Sequence, residues 1–297
     1  MRVSLWPGAN QTWDDLLAVA RHADAGRWHR LYLEDHFIDH PPHADRPLLE
    51  VTAALSGLAA ATTRIGLGPL VMSVTYRHPA VIANWAAAAD LISHGRLVLG
   101  LGAGWEELEH RAYGLRLGPL RERVDRFEEG LQVVRGLLDT PRTTVSGRYY
   151  TLVDAAMEPK PAQAHLPLLV GARGDRMLGL VARYADEWNM WSVPAELQAR
   201  AEVLDAACER TGRDPATIWR STQAPVLVTN DPVRAEDFRA RIPGRAGIAG
   251  SVEQVAAAIA EYAEVGIDEF IIPDVAWADG PEQLAALDEL VDLVDRG

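Results

Sequence analysis

Residues 65–105 read IGLGPLVMSVTYRHPAVIANWAAAADLISHGRLVLGLGAGW. An apolar run at 65–71 is followed by Tyr76-Arg77-His78-Pro79, an alanine-rich helical stretch at 80–92, and a second apolar run at 97–101 that ends in glycines. Strand, proline-opened helix and strand make a crossover unit, and a crossover leaves its two strands parallel. The same alternation recurs on both sides. Strands are expected at 3–6, 31–34, 65–71, 97–101, 168–171, 187–190, 221–228 and 269–273. Helices are expected at 13–25, 48–60, 80–92, 124–138, 177–185, 197–211, 252–265 and 282–294. Gly26, Gly212 and Gly266 follow helices, and Ser251-Val252-Glu253-Gln254 reads as a capping box. No sequence repeat or Pro/Gly-rich linker divides the chain, so residues 1–297 are expected to form one α/β domain, a (β/α)8 TIM-type barrel. Residues 105–123 and 143–161 break the rhythm and read as insertions, the second with a turn signal at 145–150.

Composition narrows the function. Of 297 residues, 48% are hydrophobic and 24% charged, the profile of a globular chain. Lys and Arg number 29 against 42 Asp and Glu, a net charge of −13 that repels a nucleic-acid backbone or an anionic membrane. The single cysteine, Cys208, excludes an intramolecular disulfide and a thiolate metal cage, and it reads as a packing residue. The opening Met1–Pro7 run is too short for a signal peptide, so a cytoplasmic location is expected.

In a barrel of this kind function sits where strands end. After the second strand stand Glu34-Asp35-His36-Phe37, a carboxylate beside an imidazole able to exchange a proton near neutrality. The alternative is a loop histidine with a capping Asp. His40 and His43 flank two prolines without the further ligands a metal needs. Strand four runs into Gly100-Leu101-Gly102-Ala103-Gly104-Trp105, either a tight turn or a cradle where backbone amides approach a ligand. The spacing is not the dinucleotide fingerprint. Gly171-Ala172-Arg173-Gly174 before a helix is a second cradle, with Arg173 placed to meet a phosphate.

Arg77 reads as a structural ion-pair partner, and Glu106 and Glu107 ahead of His110 as one face of a solvated helix. Trp6, Trp105, Trp188 and Trp191 fall near strand ends, where they could wall a pocket for a flat ring or simply fill core. There is no His-x-His on strand one, no nucleophile elbow and no P-loop, and no metal site is expected.

Asp35-His36-Phe37, Thr75-Tyr76-Arg77-His78-Pro79, Gly95-Arg96-Leu97 with Gly100 to Trp105, Glu158-Pro159-Lys160-Pro161 and Ala185-Asp186-Glu187-Trp188-Asn189 together resemble the bacterial luciferase-like monooxygenase superfamily, most nearly its coenzyme F420 (deazaflavin) dependent branch. The likeness covers almost the whole chain in order. It implies a barrel that binds a flavin-like tricycle at its strand C-termini, usually as a homodimer, with a bulge and a non-prolyl cis peptide at or beside Leu70-Val71 backing the ring. Carried over residue by residue, it puts catalytic Asp35 and His36 at the reacting edge, with Asp35 holding the His36 tautomer or bonding the ring. Leu70, Val71, Met72, Ser73 and Thr75 would lie along the ring and its polyol. Gly102, Ala103, Gly104 and Trp105 would lie beside the polyol or phosphate, and Gly171, Ala172, Arg173 and Gly174 would form the second phosphate cradle. Arg173 and Arg176 would meet a longer anionic tail. Trp6 and Trp191 would contact a mostly apolar substrate.

Some family members carry a Glu directly after the strand-four glycines, where this chain has Trp105, which argues against sugar-phosphate dehydrogenation. The expected function is hydride transfer between coenzyme F420 and a small organic substrate. Two alternatives stand beside it: an FMN-dependent monooxygenase supplied by a separate reductase, and a barrel that binds a ligand without turnover. Specificity would come from loops 38–47, 105–123 and 233–248.

Overall fold

A computed structural model describes residues 1–39, 45–242, 246–276 and 279–296. His40, His43 and the end of loop 233–248 fall wholly or partly outside the described residues. The first half of the chain runs β1 (Arg2–Trp6), α1 (Trp13–Ala25), β2 (Arg30–Leu33), α2 (Val51–Ala61), β3 (Gly66–Pro69), β4 (Met72–Ser73), α3 (Pro79–Ile92) and β5 (Leu99–Gly102). It continues through α4 (Glu107–Ala112), α5 (Leu120–Asp139), β6 (Thr143–Ser146), β7 (Thr151–Ala155), β8 (Leu168–Gly171), α6 (Asp175–Tyr184), β9 (Glu187–Asn189) and α7 (Pro194–Thr211). The last part holds β10 (Trp219–Gln223), β11 (Val226–Val228), α8 (Pro232–Arg241), β12 (Ile248–Gly250), α9 (Val252–Glu264), β13 (Glu269–Pro273) and α10 (Pro281–Arg296).

The main sheet is parallel, in the order β3-β2-β1-β13-β10-β9-β8-β5-β4. Its two end strands are consecutive in the chain. β3 and β4 are two halves of the third barrel strand, and a bridge between Leu67 and Leu97 joins β3 to the start of the fourth, closing the ring. The result is the expected eight-stranded barrel. Between β3 and β4 the chain bulges at Leu70 and Val71, whose peptide bond is cis. The neighbouring strands accommodate the bulge by lacking side chains. A Cβ on Gly100 would lie 2.0 Å from the Pro69 carbonyl oxygen, and one on Gly102 would lie 2.7 Å from Val71 Cγ2.

The helices pack outside through ordinary amphipathic spacing. In α5 the buried positions Val124, Phe127, Leu131, Val134 and Leu138 recur every three or four residues and face the barrel. The capping box forms at α9, where Ser251 Oγ accepts from Gln254 N–H and Gln254 Oε1 accepts from Ser251 N–H. Met72 and Trp188 are fully buried in the main core, and Trp188 Nε1–H donates to the Ala172 carbonyl, so neither walls the mouth.

Two expectations need correction. The seventh strand was expected to run unbroken over 221–228, but it ends at Gln223, and Val226–Val228 pairs instead with Ile248–Gly250 in a separate two-stranded sheet. Pro225 lies at the break and has no N–H to continue the ladder. Residues 105–123, expected as a loop insertion with a solvated helix, hold α4, whose Glu109 and His110 are buried. The other insertion carries the antiparallel β6–β7 pair. Among the described residues no helix is long and apolar enough to cross a membrane.

Candidate functional site

The strands' C-terminal ends surround a cleft of about 960 Å³. It collects most of the residues singled out in the sequence: Trp6, Asp35, His36, Leu70, Val71, Ser73, Gly102, Ala103, Gly104, Trp105, Gly171, Arg173 and Trp191 all line it. Met72, Thr75, Ala172 and Gly174 do not. Met72 points into the core, Thr75 lies behind Ser73, Ala172 is buried with its carbonyl on Trp188, and Gly174 caps the N-terminus of α6.

His36 is held by a residue the sequence did not mark. Its Nδ1 lies 3.0 Å from Glu109 Oε2, and since a carboxylate only accepts, Nδ1 carries the proton. The same carboxylate accepts from the backbone N–H groups of Phe37 at 2.6 Å and Ile38 at 2.8 Å, and from the Tyr76 hydroxyl. Burial works against a charged Glu109, but the bonds from His36, Tyr76 and Ile38 outweigh it and lower its pKa to about 2. Burial likewise opposes a charged His36, yet the hydrogen bond to Glu109 and the charges of Glu109, Glu34 and Asp35 raise its pKa above the ordinary 6.5. The Glu109 carboxylate thereby strengthens the hold of His36 on its proton at the cleft. The Trp105 and His36 rings meet in a T-shaped contact with their centroids 5.5 Å apart.

Asp35 does not hold the His36 tautomer. Its carboxylate accepts from the Ser73 N–H at 2.9 Å and takes Arg77 on both oxygens at 2.8 Å. Arg77 continues to Glu50, so it is the structural ion-pair partner expected, and the pair ties β2 to the turn after β4. Burial pushes the Asp35 carboxyl up against the pull of Arg77. Glu34 is raised chiefly by burial and accepts from Trp6 Nε1–H and from Ala9 N–H. Trp6 in turn meets Trp191 edge to face at 6.1 Å.

The arginines expected at a phosphate are ion-paired, Arg173 while lining the cleft. Arg173 pairs with Glu196, and Arg176 pairs with Asp125 and Glu128. Arg123 at the start of α5 lines the cleft, donates to the Gly104 carbonyl at 2.7 Å, and makes no ion pair among the described residues. Nothing in the sequence separated it from the other surface arginines of that helix. Glu109 was missed for a related reason: in a six-residue helix no periodicity tells the inward face from the outward one. The described residues hold no cluster of His, Cys, Asp and Glu suited to a metal ion.

The cleft fits a flavin-sized tricycle. Its volume lies in the range of sites for molecules of that size, its walls mix tryptophans and aliphatic groups with a few placed polar groups, and one wall is the Leu70-Val71 backbone set over glycines.

Comparison with known proteins agrees. A hydroxymycolic acid dehydrogenase of Mycobacterium tuberculosis, described as F420-dependent, is 30% identical over 75% of this chain and 61% of its own length. A pyrimidine monooxygenase of Cronobacter sakazakii is 32% identical over 56% of this chain and 50% of its own. The matched region thus spans only one half to three fifths of these relatives. A solved F420-dependent secondary alcohol dehydrogenase, in complex with an F420-acetone adduct, superposes with a TM-score of 0.85 over 99% of both chains at 19% identity, a likeness of fold. The sequence profile of the luciferase-like monooxygenases matches residues 1–243, from the first barrel strand through α8, and the chain belongs to that family.

Proposed function

We propose that the protein is an oxidoreductase that binds coenzyme F420 in this cleft and exchanges hydride between it and a small organic molecule. The observation that carries the reading is the His36–Glu109 pair beside a ring-sized cleft backed by the Leu70-Val71 bulge. The relatives named as F420-dependent support the cofactor. Bound there, a deazaflavin would supply the carbon that gives or takes hydride, chemistry no side chain offers.

The protein's part is placement and proton handling. Leu70, Val71 and Ser73 would seat the ring, and Gly102 to Gly104 would border its polyol chain. The tryptophans Trp6, Trp105 and Trp191 keep water off the reacting face and offer apolar contact to the substrate. His36, its proton affinity raised and its ring oriented through Nδ1 by Glu109, serves as the acid or base that balances hydride movement at a substrate oxygen or nitrogen. Glu109 acts through His36 and is a positioning residue.

An FMN-dependent monooxygenase fed by a separate reductase is the second reading. The pairing of Arg173 and Arg176 with carboxylates favours it, because a long polyanionic tail needs several open cations at the mouth, and of Arg123, Arg173 and Arg176 only Arg123 makes no ion pair among the described residues. The pyrimidine monooxygenases among the relatives point the same way. Parallel titration of the purified protein with coenzyme F420 and with FMN, followed by ring absorbance and tryptophan quenching at matched salt, separates the two. Tight binding of F420 alone is the expected result. Preference for FMN overturns it in favour of the oxygen-using reading.

A further inference from the structure

Behind the cleft wall runs a short chain of hydrogen bonds whose direction is fixed from its buried end. His110 on α4 is 2% exposed, and its Nδ1 lies 2.5 Å from the backbone carbonyl of Glu106. A carbonyl only accepts, so the Nδ1 position carries the proton. The other ring nitrogen, Nε2, lies 2.7 Å from Thr75 Oγ1. The Nδ1–H tautomer satisfies both partners, the Glu106 carbonyl accepting at one nitrogen and the Thr75 hydroxyl donating at the other. In that form Nε2 is an acceptor and the Thr75 hydroxyl donates to it. Thr75 has then spent its only proton, and the 2.6 Å contact between Ser73 Oγ and Thr75 Oγ1 must be filled by the proton of Ser73.

Ser73 is the member of the chain that lines the cleft, while Thr75 and His110 are buried behind it. Gly104 keeps the hydroxyl pair uncovered: a Cβ there would come within 2.6 Å of Thr75 Oγ1 and 2.7 Å of Ser73 Oγ. We propose that Thr75 and His110 make Ser73 an obligate hydrogen-bond acceptor toward the cleft, so that the site selects an occupant presenting an O–H or N–H at that point. This rests on the ring-cofactor reading above, the donor being a polyol hydroxyl or a ring N–H of the bound tricycle. A group that can only accept, or a donor capped by methyl, is disfavoured because Ser73 cannot turn its proton outward without breaking the bond to Thr75.

The test is equilibrium binding of whichever of coenzyme F420 and FMN the wild-type protein takes, measured for Thr75→Val, Ser73→Ala and the double variant. Thr75→Val leaves the cleft wall in place and removes the acceptor of the Ser73 proton. The dissociation constant is expected to rise about 3- to 10-fold in each single variant, with the double variant no weaker than Ser73→Ala and Thr75→Ser restoring affinity. The N3-methylated ring and the ring without its polyol identify the donor: the analogue lacking it loses the difference between wild type and Thr75→Val. ¹⁵N NMR of the His110 imidazole should show the proton on Nδ1. A proton on Nε2, or wild-type affinity in Thr75→Val while Ser73→Ala is weakened, overturns the inference and leaves the cofactor reading intact. Failure of both cofactors to bind the wild-type protein overturns the cofactor reading and with it the occupant named here.

Discussion

The two ends of the barrel carry the same kinds of side chain and use them differently. At the N-terminal end Arg30, Glu187 and Glu269, each the first residue of its strand, meet inside the ring: Arg30 pairs with Glu187 through both nitrogens at 2.7 and 2.8 Å and with Glu269 at 3.0 Å. Ser4, Tyr32 and Trp219 donate the remaining bonds to Glu269, so each charge is answered from within the cluster. At the C-terminal end Glu109 is as enclosed as Glu269, but its partner His36 lines a cleft. A closed cluster plugs the barrel; one opened at a single member becomes a site able to act on something else.

The largest effect is expected at the closed end. Arg30→Met leaves two buried carboxylates without their cation and should cost about 3–5 kcal/mol in chemical denaturation, with cofactor affinity of the folded protein unchanged. A loss below about 1 kcal/mol would mean that the cluster is solvated and the contrast between the two ends false. At the open end His36→Ala should lower cofactor-coupled turnover about a hundredfold, while the cofactor dissociation constant moves by less than about threefold.

Titration sharpens the contrast. Glu109, lowered from 4.5 to about 2, adds stability that is present above pH 4.5 and lost as pH falls toward 2. His36, raised above 6.5, adds stability that is complete below pH 6.5 and lost as pH rises through its raised value. Glu187 runs opposite to Glu109: burial raises it despite Arg30, so the folded chain holds its proton more tightly and that contribution fades as pH rises above 4.5. Glu109→Gln should therefore flatten both the acid limb between about pH 4.5 and 2 and the limb above pH 6.5. Denaturation midpoints across pH 2–9 read both; limbs as steep as in the wild type would dissolve the pair. The smallest effect is expected from Arg173→Gln, which removes an exposed pair with Glu196 and should change cofactor affinity less than about threefold.

The barrel was legible because its strands are short apolar runs at regular distance from amphipathic helices, and residues 65–105 already contain the crossover that makes them parallel. What was misread was local. A seventh strand over 221–228 passes through Pro225, although a missing N–H is a signal visible in sequence. At the mouth, Asp35, His36 and the glycines were legible because they stand at strand ends. The role given to the glycines was incomplete: Gly100 makes room for the Pro69 carbonyl and Gly102 for Val71, close approaches that exist only once the strands are side by side. Glu109 was not legible, because its partners His36 and Tyr76 lie 73 and 33 residues away in sequence. Asp35 beside His36 looked like the natural partner, yet successive residues leaving a strand point to different neighbours, and Asp35 goes to Arg77.

The proposed chemistry turns on His36, oriented by Glu109, serving the occupant of the cleft. The most direct measurement is an NMR pH titration of His36 in the wild type and in Glu109→Gln, each with and without coenzyme F420. A midpoint above 6.5 in the free wild type, a fall in Glu109→Gln and a further change when the cofactor binds are predicted. A His36 that titrates identically in both proteins and does not respond to the bound cofactor would mean that Glu109 does not set its proton affinity and that it does not serve the occupant.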